Sequence, residues 1–125
     1  FKKSKTQIII YLFIIMEISL IKKCIAEMLG TFIFLGVIIT VVNDSSSTLP
    51  SLKIGLALMI AIVFFGDVSG GHFNPVVSIM LFMNDKLNSI DLVFYILSQI
   101  IGGMLAYFVF VTIINKQNNT FSLNK

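Results

Sequence analysis

Apolar residues along this chain form long blocks that charged, serine-rich and glycine-rich stretches separate. Three blocks stand out: Cys24 to Val42, Leu52 to Val68, and Leu92 to Ile114. A helix needs about 20 consecutive apolar residues to cross the hydrocarbon core of a bilayer. Each block is therefore predicted to be a transmembrane helix, and the chain to be an all-α membrane protein.

Composition supports this prediction, because 57% of the 125 residues are hydrophobic and only 12% are charged. Those values lie outside the range of ordinary soluble domains. The lysines flank the blocks instead of lining one face, which argues against nucleic acid as a partner and favours the lipid bilayer. The single Cys24 excludes an internal disulfide.

The positions of the lysines predict the orientation. With a cytoplasmic amino terminus, six lysines lie on the inner side and three on the outer side. The inner set is Lys2, Lys3, Lys5, Lys22, Lys23 and Lys86, and the outer set is Lys53, Lys116 and Lys125. Cytoplasmic segments of membrane proteins are enriched in basic residues, so the amino terminus is expected inside. The excess disappears if residues 1–15 are absent from the mature chain.

Two segments lie outside the unit predicted at residues 22–114. In the amino-terminal segment, residues 1–21, the apolar stretch Gln7 to Met16 is shorter than a span. We interpret it as interfacial or non-native, since the chain begins with Phe1 and Met16 fits a true start. Residues 115–125 are predicted to be a polar, unstructured tail.

The glycine-rich stretch from Gly66 to Pro75 ends the second block and starts a new helix. Asn74 is suited to cap that helix and Pro75 to occupy its first position. The apolar run from Pro75 to Met83 gives only about 14 Å of helix, roughly half the hydrocarbon core. It is predicted to be a re-entrant half-helix. Irregular backbone at membrane depth is tolerated only beside protein or water, so the loop implies a cavity.

Ser69 to Ser78, read as Ser-Gly-Gly-His-Phe-Asn-Pro-Val-Val-Ser, resembles the first Asn-Pro-Ala loop of the major intrinsic proteins, the aquaporins and aquaglyceroporins. Ala26 to Phe32 is similar to the first helix of that family, and Ser98 to Gly103 to its third. The three motifs follow in the family's order. The resemblance implies one repeat of an aquaporin-like fold, with three spans and the half-helix 75–83. It also implies assembly as a homo-oligomer, a tetramer.

This resemblance implies a passive channel for water or small uncharged solutes such as glycerol. The carbonyls of Gly70, Gly71, His72 and Phe73 are expected to form a row of acceptors, and the Asn74 amide to donate to the solute. The amino terminus of the half-helix carries about half a positive charge, which repels cations and protons, as in aquaporin-type selectivity.

The resemblance also assigns bracing and selectivity roles. Glu27 and Gln99 are expected to brace the loop, and in the family such a glutamate braces the loop of the opposite half. Val76 replaces the family's alanine, and Ile54 occupies a place where the family often has an aromatic residue. These departures indicate a wider filter, so glycerol is as well supported as water.

Other positions have simpler interpretations. Gly55, Gly102 and Gly103 are typical of close helix crossings. The alternative of a membrane enzyme using His72 with Asp67 or Glu27 is weak, because the sequence supports neither a metal-binding set nor a nucleophile–base pair. We therefore predict no enzymatic activity, no metal and no cofactor.

The chain supplies one repeat where the family has two inverted ones. It contains no second Asn-Pro-Ala motif and no arginine for a filter. A single repeat leaves Asn74 without a partner half-helix and the polar loop exposed to lipid. We interpret the chain as a fragment that needs a second repeat. The alternatives are a split-gene half, a subunit that pairs with an inverted copy, a non-conducting relic, and a three-span interaction protein.

Overall fold

The structure, a computed structural model, describes the backbone of residues 4–123 and the side chains of residues 4–117. Four helices form the described part, which contains no strand. Their bounds are α1 Lys5–Asn43, α2 Pro50–Ser69, α3 Pro75–Met83 and α4 Ser89–Leu123. Helices α1, α2 and α4 are long and apolar enough to cross a membrane, whereas α3 has nine residues. The predicted fold class is confirmed: three spanning helices and one half-helix.

Two helices extend further than predicted. Helix α1 begins at Lys5 and runs without a break through the stretch interpreted as a separate interfacial segment. No glycine or proline interrupts the chain before Gly30, so nothing in the backbone ends the helix. Helix α4 continues to Leu123. The prediction of an unstructured tail is therefore wrong for residues 115–123, because polar residues can continue a helix outside the membrane.

Helix α1 is the centre of the fold, since it packs against both α2 and α4, and α3 packs against α4. α1 and α4 run in the same direction. Lys23, midway along α1, pairs with Asp91 near the start of α4, with Nζ and Oδ2 2.8 Å apart, and the rings of Phe32 and Phe110 pack 5.7 Å apart further along both helices. α2 runs antiparallel to α1 after the short connection 44–49.

Small residues allow α1 and α4 to approach closely. A methyl group on Gly102 would overlap the backbone carbonyl of Met28, and one on Gly103 would lie 2.9 Å from a methyl carbon of Leu35. Both glycines therefore occupy helix crossings, as predicted. Among the described residues, nothing beyond the neighbouring backbone of α2 lies within 4 Å of such a group on Gly55, so no close crossing between the described helices occurs at Gly55.

The interior is more polar than the outer surface. Large apolar side chains such as Val63 and Phe64 are 71% and 72% exposed, as expected for residues that face lipid. Among the buried residues are a carboxylate, an amide and several hydroxyl groups: Glu27, Gln99, Thr31, Ser69, Ser78 and Ser98. Most of these polar side chains surround the connection between α2 and α3.

Candidate functional site

The connection between α2 and α3 reverses the chain through left-handed backbone conformations. Gly70 ends α2 with φ +93°, and Gly71 follows with φ +67°. Both values are readily adopted by glycine. Phe73 has φ +48°, which costs a residue with a side chain about 1–3 kcal/mol and persists only where the surroundings hold it.

All four N–H groups of residues 70–73 find acceptors inside the fold. Gly70 donates to the carbonyl of Gly66 at 2.8 Å, and Gly71 donates to the hydroxyl of Ser69 at 3.2 Å. His72 donates to Oε1 of Glu27 at 2.9 Å, and Phe73 donates to Oε2 of the same carboxylate at 2.7 Å. The donors of the loop therefore point towards α1 and α2.

The carbonyl groups of the same four residues are left free. Within the part of the chain that the structure describes, no donor reaches the carbonyl oxygens of residues 70–73. The next carbonyl, that of Asn74, accepts from the N–H of Ser78 at 3.1 Å as α3 begins. The loop thus offers four consecutive acceptors and keeps its donors occupied.

Glu27 is the centre of the network that holds this loop. Its side chain is fully buried and accepts four hydrogen bonds, two on each oxygen. Besides the two loop amides, the donors are the hydroxyl of Ser69 at 2.6 Å and the amide of Gln99 at 2.8 Å. All four donors belong to this repeat, because α1 packs directly beside the end of α2.

A second set of contacts ties the loop and α3 to α4. The hydroxyl oxygen of Ser78 lies 3.0 Å from Nδ1 of His72 and accepts from the amide of Gln99 at 2.9 Å. The hydroxyl of Tyr95 donates to the carbonyl of Ser69 at 2.6 Å, and its ring packs edge-on against His72 with centroids 5.0 Å apart. Tyr95 is 1% exposed.

Ser69, Ser78 and Tyr95 were not predicted as site residues. A signal was present, because Ser78 follows Asn74 by four residues and Tyr95 precedes Gln99 by four. Residues four apart lie on the same face of a helix. A polar side chain in line with a predicted site residue in an apolar helix is therefore a candidate for the same site.

The ring of Phe73 fills a notch in α1. Phe73 is 2% exposed, and its ring lies where a side chain on Gly30 would have to be. Phe65 contacts the same ring edge-on, with centroids 6.5 Å apart. This packing provides surroundings that maintain the left-handed conformation of Phe73.

Asn74 caps α3 and presents its amide outwards. Its Oδ1 accepts from the N–H of Val76 at 2.9 Å, and Pro75 occupies the first position of the helix. The Nδ2 group makes no hydrogen bond to the described residues, and the residue is exposed. Val76 is 70% exposed beside it. The cap therefore directs two N–H donors away from the protein.

The structure brings together every predicted site residue except one. Residues 70–76, Glu27 and Gln99 form a single network, whereas Ile54 lies near the start of α2, about 24 Å of helix before Gly70. Among the described residues, no cluster of three or more His, Cys, Asp or Glu side chains is close enough to hold a metal ion.

Comparison with known proteins found a matching family model and several similar proteins. A model of the major intrinsic protein family matches residues 14–125. The chain is 39% identical over 87 residues to the glycerol uptake facilitator protein-like 6 of Lactiplantibacillus plantarum, covering 68% of this chain and 40% of the relative. It is 40% identical over 89 residues to aquaporin-8 of Rattus norvegicus, covering 68% and 34%.

A third relative is matched over a longer stretch. The glycerol uptake facilitator protein of Buchnera aphidicola subsp. Schizaphis graminum is 37% identical over 110 residues, which cover 82% of this chain and 42% of the relative. The chain thus spans less than half the length of these relatives. With three apolar helices of spanning length, it is an integral membrane protein, and it belongs to the major intrinsic protein family.

Proposed function

We propose that the chain forms one half of the wall of a passive channel for water or small uncharged solutes such as glycerol. The observation that carries the proposal is the hydrogen-bonding pattern of the backbone at residues 70–73. The N–H groups of these residues are all bonded inside the fold, and the four carbonyl oxygens accept nothing from the described residues. A row of free acceptors beside a helix amino terminus suits a solute that donates hydrogen bonds.

The proposed mechanism exchanges hydrogen bonds at each step. A water molecule or a solute hydroxyl gives up a bond to water and donates to a loop carbonyl, so the net free-energy change per exchange is small. At the end of the loop, the free Nδ2 of Asn74 donates to the solute oxygen. The solute therefore contacts acceptor carbonyls along the loop and the donor amide at Asn74. These contacts orient the dipole of the solute.

Electrostatics excludes ions from the same path. The amino terminus of α3 carries about half a positive charge, and Asn74 and Pro75 place it at the end of the loop. A cation or a hydrated proton is repelled there, whereas a neutral solute is not.

Two residues are proposed to set the size of the solute. Val76 projects beside Asn74, where the resembling family has alanine, and Ile54 replaces an aromatic residue near the start of α2. The matched relatives are named both as glycerol uptake facilitators and as aquaporins. We therefore propose permeation by both water and glycerol, without enzymatic activity.

A second repeat is proposed to complete the pore. The exposed face of Asn74 and Val76 has no covering element within the described residues, and the relatives are more than twice as long as their matched segments. The second repeat belongs either to the same polypeptide or to another chain. We also propose a cytoplasmic amino terminus from the lysine distribution, and tetramers from the resemblance.

The experiment is osmotic shrinkage and glycerol-driven reswelling of proteoliposomes. Two proteins are compared. One is this chain alone, and the other is a chimaera in which residues 22–114 replace the matching segment of the Buchnera glycerol uptake facilitator. Asn74→Asp places an anion at the half-helix amino terminus. Asn84→Asp is the matched control, because it makes the same change in an exposed residue at the other end of α3.

The expected result is fast permeation by the chimaera, its loss in Asn74→Asp, and its retention in Asn84→Asp. Conduction by the chain alone would mean that copies of this repeat complete one another. The proposal would be overturned if the chimaera reached the membrane folded and its vesicles were no more permeable to water and glycerol than empty vesicles.

A further inference from the structure

We propose that Tyr95 is a positioning residue that sets where α2 ends and hence the register of the four acceptor carbonyls. This inference rests on the proposed function, because it concerns the same loop. Tyr95 does not face the solute: it is 1% exposed and reaches the loop from α4, an element that does not contribute to it.

The hydroxyl of Tyr95 satisfies a carbonyl that the helix geometry would otherwise leave unpaired. The last carbonyls of any α-helix lack partners within the helix. Ser69 is the last residue of α2, is 6% exposed, and its carbonyl accepts from Tyr95 at 2.6 Å. An unpaired carbonyl at membrane depth costs several kcal/mol, so this contact favours termination of α2 at Ser69.

The register of the loop depends on that termination. Gly70 is the first residue in a left-handed conformation and carries the first free carbonyl. If α2 ended one residue earlier or later, the free carbonyls would shift by one residue relative to Asn74. Glu27 binds the amides of His72 and Phe73 and the hydroxyl of Ser69, but it makes no contact with the carbonyl of Ser69. Tyr95 therefore adds a restraint on the backbone at the end of α2 that Glu27 does not supply.

The ring of Tyr95 adds a second constraint. Its edge-on contact with His72 restrains a residue whose Nδ1 lies 3.0 Å from the hydroxyl of Ser78 on α3. One side chain thus contacts the residue before the loop through its hydroxyl and a residue within the loop through its ring. Tyr95→Phe removes the first contact and keeps the second, whereas Tyr95→Leu removes both.

The test compares Tyr95→Phe with Tyr107→Phe in the conducting form of the protein. Tyr107 lies on the same helix but is 56% exposed and packs against Phe108, so it is a matched control. Hydrogen exchange of the loop amides measures how firmly the N–H groups of the loop are held, without requiring conduction. We expect exchange at residues 70–73 to become about fivefold faster in Tyr95→Phe, the effect of losing one net hydrogen bond.

Permeability provides the functional measurement. Tyr95→Phe is expected to lower water permeability per channel and to raise its activation energy, with an unchanged amount of folded protein, and Tyr95→Leu is expected to show a larger effect. Unchanged exchange in the loop would overturn the inference, whether or not the protein conducts. Faster exchange with unchanged permeability would also overturn it, while leaving the proposed channel function intact.

Discussion

Oε2 of Glu27 accepts a hydrogen bond of 2.7 Å from the N–H of Phe73, which joins the first helix directly to the end of the loop. We predict that Glu27→Gln destabilises the protein by about 1–3 kcal/mol, because a neutral amide cannot accept four hydrogen bonds and leaves buried donors unpaired. Denaturant or thermal unfolding in detergent measures this loss.

The matched control for this prediction is Glu17→Gln. Glu17 lies on the same helix but is exposed, so the same substitution is expected to change stability by less than about 0.5 kcal/mol. Equal stabilities for the two variants would show that the carboxylate does not hold the loop.

A second prediction concerns the crossing of α1 and α4. Gly102→Ala introduces a methyl group against the backbone carbonyl of Met28, and a backbone atom cannot move aside as a flexible side chain can. We expect a loss of about 1–3 kcal/mol in the free energy of unfolding, the usual cost of overpacking.

Gly55→Ala controls for the intrinsic preference of alanine for helices. Among the described residues, nothing beyond the neighbouring backbone of α2 lies within 4 Å of the new methyl group, so this variant is expected to be neutral or more stable by up to about 1 kcal/mol. A gain of stability in both variants would contradict the close crossing.

A third prediction separates permeation from folding. Val76 is 70% exposed in the repeat, so Val76→Ala is expected to leave stability within about 0.5 kcal/mol. Removing its bulk beside Asn74 should raise water permeability per channel by about twofold or more, equivalent to roughly 0.4 kcal/mol of barrier. Stopped-flow light scattering on proteoliposomes measures the rate, and a slower rate at equal protein content would refute the assigned role.

Much of the local structure follows from short-range rules. Asn74 and Pro75 predict the start of α3, and the helix does run over the expected nine residues, because capping and the fixed φ of proline are local effects. Apolar block length likewise predicts the three long helices. The start of α1 and the end of α4 were misplaced, since block length measures what lies in lipid and not where a helix begins or stops.

The contacts that hold the loop were harder to predict. The resemblance to the family assigned Glu27 and Gln99 to bracing the loop, without indicating their partners. Their bonding within one repeat depends on how α1 packs against the end of α2, which no local pattern encodes. The hydrogen bond of Tyr95 joins residues 26 positions apart, and a tyrosine in an apolar helix is equally typical of a membrane interface.

The common direction of α1 and α4 has an evolutionary consequence. Three crossings leave the two ends of this unit on opposite sides of the membrane. A gene duplication that joins two such units end to end therefore inserts the second one upside down, without any change in its fold. The two loops then enter from opposite faces, and an antiparallel pair of half-helices arises from the odd number of crossings alone.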